Sequence, residues 1–392
     1  MNEIIYKKIA QDLFYVEYED FDFDTSVQVT NEKYRPRGPL CSGIRKGGFA
    51  GRNFDGYSDL KTVLVMRISN KCARFSSLSV TTSYLEPSLP EIADRQEKDE
   101  AYFVMPQLAV DGVNEKGLSI MSFMVQNCEA SEDRANWGER EWGKSAAFTN
   151  RTAAKTYNTM SLVRFVLDNA ADIDEAVELI RSVNWFDPDR FTSSGHAASL
   201  KWLLSDPEKS AVVECIDNEM KILVSANTCQ PSPCTLTANF SLYLFQKGII
   251  QNRASGYERY DQMADQYGRE ETSTEGVKHI LGSVVMSEKY QREITDKHFF
   301  ATDYLWDESP SGRHFTSEEL YSGNAKQDPD FLKTIELSKR RYFGQALWPQ
   351  NHRDIITIYT SVYNLEEKSV QILLQEGAAS NEWHPFKLHK SN

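Results

Sequence analysis

The chain has 392 residues, and 40% of them are hydrophobic, which is enough apolar material to fill one large core. Its 57 acidic residues outnumber its 44 basic residues, and the net charge of −13 disfavours binding to the phosphates of nucleic acids. No apolar run has the length of a membrane span, and the first residues lack the apolar stretch of a secretory signal. We therefore expect a cytoplasmic protein with neither nucleic acid nor a membrane as a partner.

Short runs of β-branched and aromatic residues predict strands in the first part of the chain. These runs are KTVLVMRI from Lys61, SSLSVTTSY from Ser76, AYFVM from Ala101 and LSIMSFMV from Leu118. From residue 161 to residue 180 the apolar residues recur every three to four positions, with a break near Asp172. This spacing predicts a pair of helices.

Strands and helices alternate again in the second part of the chain. The pattern predicts strands in SLKWLLSD, SAVVECID and MKILVSA, helices near residues 257–266 and 274–286, and final strands in DIITIYTSVY and SVQILLQE. This order is typical of stacked layers of helices and sheets in one large domain. A polar stretch near residues 304–330 is long for a loop and predicts a surface insertion or a flap.

The segment PLCSGIRKGGFAGRNFDG, residues 39–56, places a cysteine, an arginine and an aspartate close together in the chain. From the residues alone, Cys41 is compatible with an ordinary buried thiol, and Arg52 with a structural ion pair beside a β-turn. Further along, DGVNEKGLSI begins at Asp111, and its Gly117 predicts a turn between two strands.

CSGI, GRNFD and DGVNEKGLSI together resemble the choloylglycine hydrolase family of N-terminal nucleophile enzymes, which includes bile salt hydrolases and penicillin V acylases. SLKWLLSDPEKSAVVE is similar to the core hairpin of that family, MKILVSANTCQPSPCTLTANFSLY to its oxyanion-hole segment, and TIYTSVYNLEEKSVQILL to its last strands. The resemblance covers most of residues 41–375. It implies an α+β fold, a four-layer αββα sandwich of two antiparallel sheets between helices, and hydrolysis of linear carbon–nitrogen amide bonds.

The resemblance also implies catalytic roles, namely Cys41 as the nucleophile, Arg52 and Asp55 as the pair beside it, Asn239 as the oxyanion-hole amide and Arg259 as a second active-site arginine. Arg52 is expected to favour the thiolate, and Asp55 to hold the α-amine of Cys41. Asn227 is the alternative to Asn239. A position on a helix surface is the alternative for Arg259.

Many relatives place the nucleophile directly after the initiator methionine, whereas Cys41 is preceded here by residues 1–40. We therefore expect residues 1–40 to be a leader that autocatalytic cleavage of the Leu40–Cys41 bond removes, leaving 41–392 as the catalytic domain. A nucleophile at the amino terminus has the advantage that its own α-amine can act as the base. An α-amine has a reference pKa of about 7.7 to 8.0, so that it can accept the thiol proton at neutral pH.

Candidate substrate-binding residues are Tyr57, Met124, Trp137 and Trp142, although aromatic residues such as three of these more often pack in a core. Bile salt hydrolases carry an asparagine at the position of Met124, a difference that disfavours a bile salt substrate. We expect a small-molecule N-acyl amide substrate instead, as for penicillin V acylases.

No cofactor and no metal are expected. Cys229 and Cys234 have no matching pair of cysteines or histidines, so they do not make up the four ligands of a zinc site. Acyl transfer, dipeptidase activity and bile salt hydrolysis are alternatives that use the same chemistry. An unprocessed binding module without activity is the alternative from another class. Self-association into a homo-oligomer is left open.

Overall fold

In this computed structural model the strands of the described residues form two large sheets and one small sheet. The structure describes residues 5–19, 21, 23, 40–57, 62–69, 73–82, 105–126, 147–186, 198–216, 219–226, 235–247, 257–285, 355–374 and 382–388. Several positions singled out from the sequence lie outside these residues, namely Trp137, Trp142, Asn227, Cys229, Cys234, the first four residues of AYFVM and the polar stretch 304–330.

The strands are numbered in chain order. They are β1 (Ile5–Ala10), β2 (Leu13–Glu19), β3 (Leu40–Lys46), β4 (Phe49–Tyr57), β5 (Val63–Ser69), β6 (Ser77–Thr82), β7 (Asp111–Asn114), β8 (Ser119–Gln126), β9 (Ala147–Phe148), β10 (Thr156–Asn158), β11 (Asn184–Phe186), β12 (Ala198–Ser205), β13 (Lys209–Ile216), β14 (Glu219–Ala226), β15 (Leu236–Thr237), β16 (Ile355–Asn364), β17 (Ser369–Leu374) and β18 (Trp383–Lys387).

The α-helices of the described residues are α1 (Ser161–Asn169), α2 (Ile173–Ser182), α3 (Leu242–Gln246), α4 (Tyr257–Tyr267) and α5 (Thr274–Gly282). None of them combines the length and the apolar character that a membrane crossing requires. The predicted break between the first two helices lies at Asp172, whose side chain accepts a hydrogen bond from the Glu175 N–H and caps α2.

The larger sheet has the strand order β1-β2-β5-β6-β7-β8-β12-β13-β14, and the second large sheet has the order β15-β3-β4-β16-β17-β18. Neighbouring strands in both sheets are antiparallel, except that β2 runs parallel to β5. The three-stranded sheet has the order β10-β11-β9.

The helices lie on the outer faces of the two large sheets. Helices α1 and α2 contact strands of the nine-stranded sheet, whereas α4 and α5 contact strands of the six-stranded sheet. The two sheets face each other where β3 meets β8. The αββα sandwich predicted from the resemblance is therefore confirmed.

Most of the predicted strands and helices are present, but the end of AYFVM is different. Met105, predicted as the last residue of a strand, instead begins a 3-10 turn that spans Met105–Leu108. Pro106 follows it directly and cannot donate a hydrogen bond to a neighbouring strand, which disfavours continuation of a sheet.

Residues 5–19 were assigned above to a leader, yet they form the hairpin β1–β2 at one side of the nine-stranded sheet. Leu13, Phe14, Val16 and Tyr18 are buried and belong to the same apolar cluster as Cys41. The folded core therefore extends across the predicted boundary at residue 40.

The turn between β7 and β8 is built around Asn114 and Gly117. Gly117 has a φ of 85°, and a Cβ there would lie 2.4 Å from the carbonyl oxygen of Leu365, so glycine is required. Asn114 Oδ1 accepts hydrogen bonds from two N–H groups of the turn, and its Nδ2 donates to the carbonyls of Leu167 (3.1 Å) and Ala170 (2.7 Å). The predicted turn at Gly117 is confirmed, and Asn114 ties it to the end of α1.

We expect Asn114→Ala to lower the free energy of unfolding by about 2–4 kcal/mol, because buried carbonyls and N–H groups lose their partners. Urea unfolding followed by circular dichroism measures this. Lys116→Ala in the same turn is the control, since Lys116 is exposed. Equal midpoints for the two variants would contradict the assignment.

Candidate active site

The hairpin β3–β4 carries three of the residues singled out from the sequence. Cys41 lies on β3 and pairs with Phe54, while Arg52 and Asp55 lie on β4. Side chains alternate along a strand, and paired residues share a face. Cys41 and Arg52 therefore face the nine-stranded sheet, whereas Asp55 faces the helices that cover the six-stranded sheet.

The guanidinium of Arg52 lies between two aromatic rings, those of Phe123 at 4.9 Å and Phe54 at 5.1 Å. Gly43, beside Arg52 in the pairing of β3 and β4, allows the Phe123 ring to approach, because a Cβ at this position would lie 2.3 Å from its Cζ. The glycine of the CSGI motif thus makes room for the ring that positions the guanidinium.

Arg52 contacts the thiol directly. Its Nη2 donates to Cys41 Sγ at 2.5 Å, and its Nη1 donates to the Val110 carbonyl at 3.0 Å. Its Nε lies 3.5 Å from Asp111 Oδ2, and both side chains are completely buried. One guanidinium therefore joins the thiol on one sheet to an aspartate on the other.

Asp111 is the first residue of the motif DGVNEKGLSI, but no role in the site was predicted for its side chain. Tyr359 Oη donates to its Oδ2 at 2.8 Å, and Tyr363 Oη donates to its Oδ1. Two tyrosines four residues apart in the apolar strand TIYTSVY were an available signal, because buried phenols need hydrogen-bond partners. These three side chains anchor the side of Arg52 that faces away from the thiol.

The carboxylate of Asp55 is held on both oxygens. Thr357 Oγ1 donates to Oδ1 at 2.6 Å, and Arg259 Nη1 donates to Oδ2. Arg259 lies on α4, where it is only 3% exposed. The alternative that placed Arg259 on a helix surface is therefore wrong.

Asn239 links Arg259 to Cys41. Its Oδ1 accepts a hydrogen bond from Arg259 Nη2 at 2.7 Å and another from the backbone N–H of Cys41 at 2.8 Å. Both partners are donors, so the atom between them must be the amide oxygen. In the intact chain the Cys41 nitrogen is held by Asn239. The expected contact between Asp55 and the α-amine of cleaved Cys41 stays a prediction.

A buried ion pair fixes the segment that contains Asn239. Lys201 Nζ donates to the Phe240 carbonyl and lies 3.6 Å from Glu214 Oε1. Glu214 accepts hydrogen bonds from Ser241 Oγ (2.5 Å) and from the Leu242 N–H (2.8 Å). A charged residue within each of the apolar runs LKWLL and AVVECI was the available signal, because buried charges are paired.

Burial is the largest effect on the pKa values of Cys41, Asp55 and Asp111. Burial raises the pKa of the Cys41 thiol, Arg52 acts in the opposite direction, and Asp55 adds to the increase. Burial likewise raises the pKa of Asp55, opposed mainly by Arg259, and that of Asp111, opposed mainly by Arg52. In the intact chain Cys41 is therefore held as a neutral thiol that lacks an adjacent free amine.

The candidate substrate-binding residues are only partly placed. Tyr57 ends β4, and Met124 lies on β8 opposite Leu200. The side chains of both lie outside the described part of the chain, as do Trp137 and Trp142 entirely. Their proposed contacts with a substrate stay predictions.

A sequence profile described as "Linear amide C-N hydrolases, choloylglycine hydrolase family" matches residues 49–274. The matched residues include Arg52, Asp55, Asn239 and Arg259 and begin after Cys41. No curated protein matches the chain significantly.

Two solved structures are similar to the chain over most of its length. A variant of conjugated bile acid hydrolase from Clostridium perfringens is 14% identical with a TM-score of 0.49, over 90% of this chain and 94% of that chain. Penicillin V acylase from Agrobacterium tumefaciens is 13% identical with a TM-score of 0.45, over 89% of this chain and 86% of that chain. With identities and TM-scores this low, neither structure identifies the substrate of this chain.

We expect Arg52→Gln to raise the pKa of Cys41 further, because the variant loses the largest effect that opposes burial. The rate of Cys41 alkylation by iodoacetamide at pH 7 should fall by about tenfold for every unit that the pKa rises, and the loss should be recovered at higher pH. Mass spectrometry of the Cys41 peptide measures the rate as a function of pH.

Arg45→Gln is the matched control for Arg52→Gln. Arg45 is also a buried arginine of β3–β4, but its Nη2 donates to the carbonyls of Asp206 and Pro207. Its variant should keep the alkylation profile of the wild type. Superimposable profiles for Arg52→Gln and the wild type would show that the guanidinium does not act on the thiol.

Proposed function

This chain belongs to the choloylglycine hydrolase family of linear amide C–N hydrolases, and we propose that it hydrolyses an N-acyl amide through an acyl-thioester on Cys41. The nucleophile is the Cys41 thiol, and the base is the α-amine of the same residue. That amine is generated when the chain cleaves its own Leu40–Cys41 bond.

The contact that supports the nucleophile most directly is the 2.5 Å approach of Arg52 Nη2 to Cys41 Sγ. A buried arginine commonly pairs with a carboxylate, yet one arm of this guanidinium is directed at sulfur. A cation beside a thiol stabilises the thiolate as it forms. The arrangement suits a thiol that must lose its proton during a reaction.

Cleavage of the leader would supply the missing base. In the intact chain the Cys41 nitrogen belongs to a peptide bond and has no basic lone pair, while burial raises the pKa of the thiol. Attack of Sγ on the Leu40 carbonyl carbon forms a C–S bond and breaks the C–N bond, and the nitrogen takes the thiol proton. Water then hydrolyses the thioester, leaving a carboxylate on Leu40 and an α-amine on Cys41.

Turnover of a substrate would follow the same path. The α-amine accepts the thiol proton, and the thiolate attacks the carbonyl carbon of the amide. The protonated α-amine then gives its proton to the leaving amine as the C–N bond breaks. Water hydrolyses the thioester, releases a carboxylic acid and restores the thiol.

Asn239 would act on the substrate beside Cys41, and Arg259 would position Asn239. The Oδ1 atom of Asn239 accepts from the Cys41 nitrogen, which places the NH2 group of the same side chain beside the nucleophile residue. We assign this NH2 group, with a backbone N–H, to the negative charge that develops on the carbonyl oxygen. Arg259 holds Asn239 and Asp55 in place through one guanidinium.

The substrate class is an N-acyl amide with a linear C–N bond, and a panel assay tests it. The panel contains N-acyl amino acids, penicillin V, glycocholate and acyl-homoserine lactones, each incubated with and without an added amine. Release of free amine identifies hydrolysis, whereas a new amide formed with the added amine identifies acyl transfer. Lack of turnover across the panel by correctly cleaved protein would contradict the proposed substrate class.

Cys41→Ala is expected to fold but to remain at the full-length mass of 44.8 kDa and to hydrolyse no substrate, because it has neither the attacking sulfur nor a cleaved bond. Mass spectrometry and the panel assay measure the two effects. Cys215→Ala is the control, since Cys215 is the other buried cysteine of the described residues. Wild-type turnover by Cys41→Ala would exclude the mechanism.

Asn239→Ala is expected to lower kcat by about 10²- to 10³-fold, with little change in KM, and to slow cleavage of the leader. Asn158→Ala is the matched control. Asn158 is also a buried asparagine, but its Oδ1 accepts a hydrogen bond from the Ser161 N–H at the start of α1, at 2.9 Å. If Asn239→Ala kept the kcat of the wild type, Asn239 would not be the oxyanion-hole amide, and Asn227 would be the next candidate to test.

A further inference from the structure

The segment before Cys41 supplies an inner strand of the nine-stranded sheet. Strand β2 lies between β1 and β5 and pairs with β5 in parallel over seven positions, from Leu13 opposite Val63 to Glu19 opposite Ser69. The Val63 N–H also donates to the Asp12 carbonyl at 2.7 Å. Removal of the segment would leave β5 paired only with β6, with its other edge unpaired along its whole length.

The same segment supplies part of the apolar core. Leu13 is 0% exposed and Val16 is 1% exposed, and Phe14 and Tyr18 are buried with them in the main apolar cluster. On β5 the facing residues are buried as well. Departure of β2 would expose apolar surface on both sides of the former contact.

Contacts with three other parts of the molecule also hold the segment. The ring of Tyr15 stacks on that of Phe386, on β18 of the six-stranded sheet, with centroids 5.8 Å apart. Phe23 packs edge-on against Tyr157 at 5.5 Å, and its carbonyl accepts from Gln107 Nε2 at 3.2 Å. These contacts surround the segment with residues that follow Cys41 in the chain.

We propose that residues 1–40 are not released after cleavage but stay bound as a separate chain that completes the nine-stranded sheet. This rests on the proposed function, which supplies the cleavage. The mature enzyme is then a complex of two polypeptides, 1–40 and 41–392. The mode of binding is strand addition, in which backbone hydrogen bonds and alternating buried side chains hold a peptide at the edge of a sheet.

The test uses the protein expressed as the full chain and purified under native conditions. Denaturing mass spectrometry should give two masses, for residues 1–40 and for residues 41–392, and native mass spectrometry should give one species with their sum. Recovery of residues 41–392 alone, active and heat-stable, would overturn the inference while leaving the cleavage intact. A single full-length mass in active protein would overturn the cleavage itself, and the inference with it.

A pair of variants separates docking of the segment from cleavage. Val16→Asp places a charge in the core, so we expect loss of the bound 1–40 chain or a large drop in the melting temperature of the complex. Ile5→Asp is the matched control, because Ile5 is 52% exposed on β1 and should tolerate the charge. Equal retention of residues 1–40 and equal melting temperatures in the two variants would overturn the inference.

Discussion

Two buried pairs of opposite charge surround one thiol, and the layers of this protein are joined where those pairs form. Arg52 and Asp111 connect the six-stranded sheet to the nine-stranded sheet, whereas Arg259 and Asp55 connect α4 to β4. A buried ion without a partner costs several kcal/mol, so neither sheet nor helix can bury its charge without the other element in place. The stability of the sandwich and the geometry of the site are therefore coupled.

The same buried contacts also affect the pKa of the Cys41 thiol. The thiol of Cys41 is completely buried, and burial and Arg52 act on its pKa in opposite directions. Displacement of the guanidinium would remove the largest effect that opposes burial and would raise the pKa of the thiol further. Arg52 is fixed on its far side by Asp111, and Asn239 is fixed by the segment that Lys201 and Glu214 hold. The surroundings of the sulfur therefore depend on residues that do not touch it, namely Asp111, Lys201 and Glu214.

Much of the fold could be predicted from the sequence, because α1, α2 and the central strands carry clear apolar periodicities. The hairpin β1–β2 was missed for a different reason. Phe14, Val16 and Tyr18 alternate with more polar residues, which is the pattern of a strand with one buried face. The resemblance begins at Cys41, so a segment before it was assigned to a leader although its own pattern indicated a place in a sheet.

The site was predictable where its residues are close in the chain, as in the hairpin of Cys41 and Arg52, and through the resemblance for Asn239. The contacts made by β16 were not predictable, because they depend on an irregularity. Thr357 and Tyr359 are two residues apart and would share a face in a regular strand. The pairing of β16 with β4 shifts between them, so that Thr357 faces outward to Asp55 and Tyr359 faces inward to Asp111. One inserted residue thus lets a single strand hold both aspartates, and no spacing in the sequence reveals it.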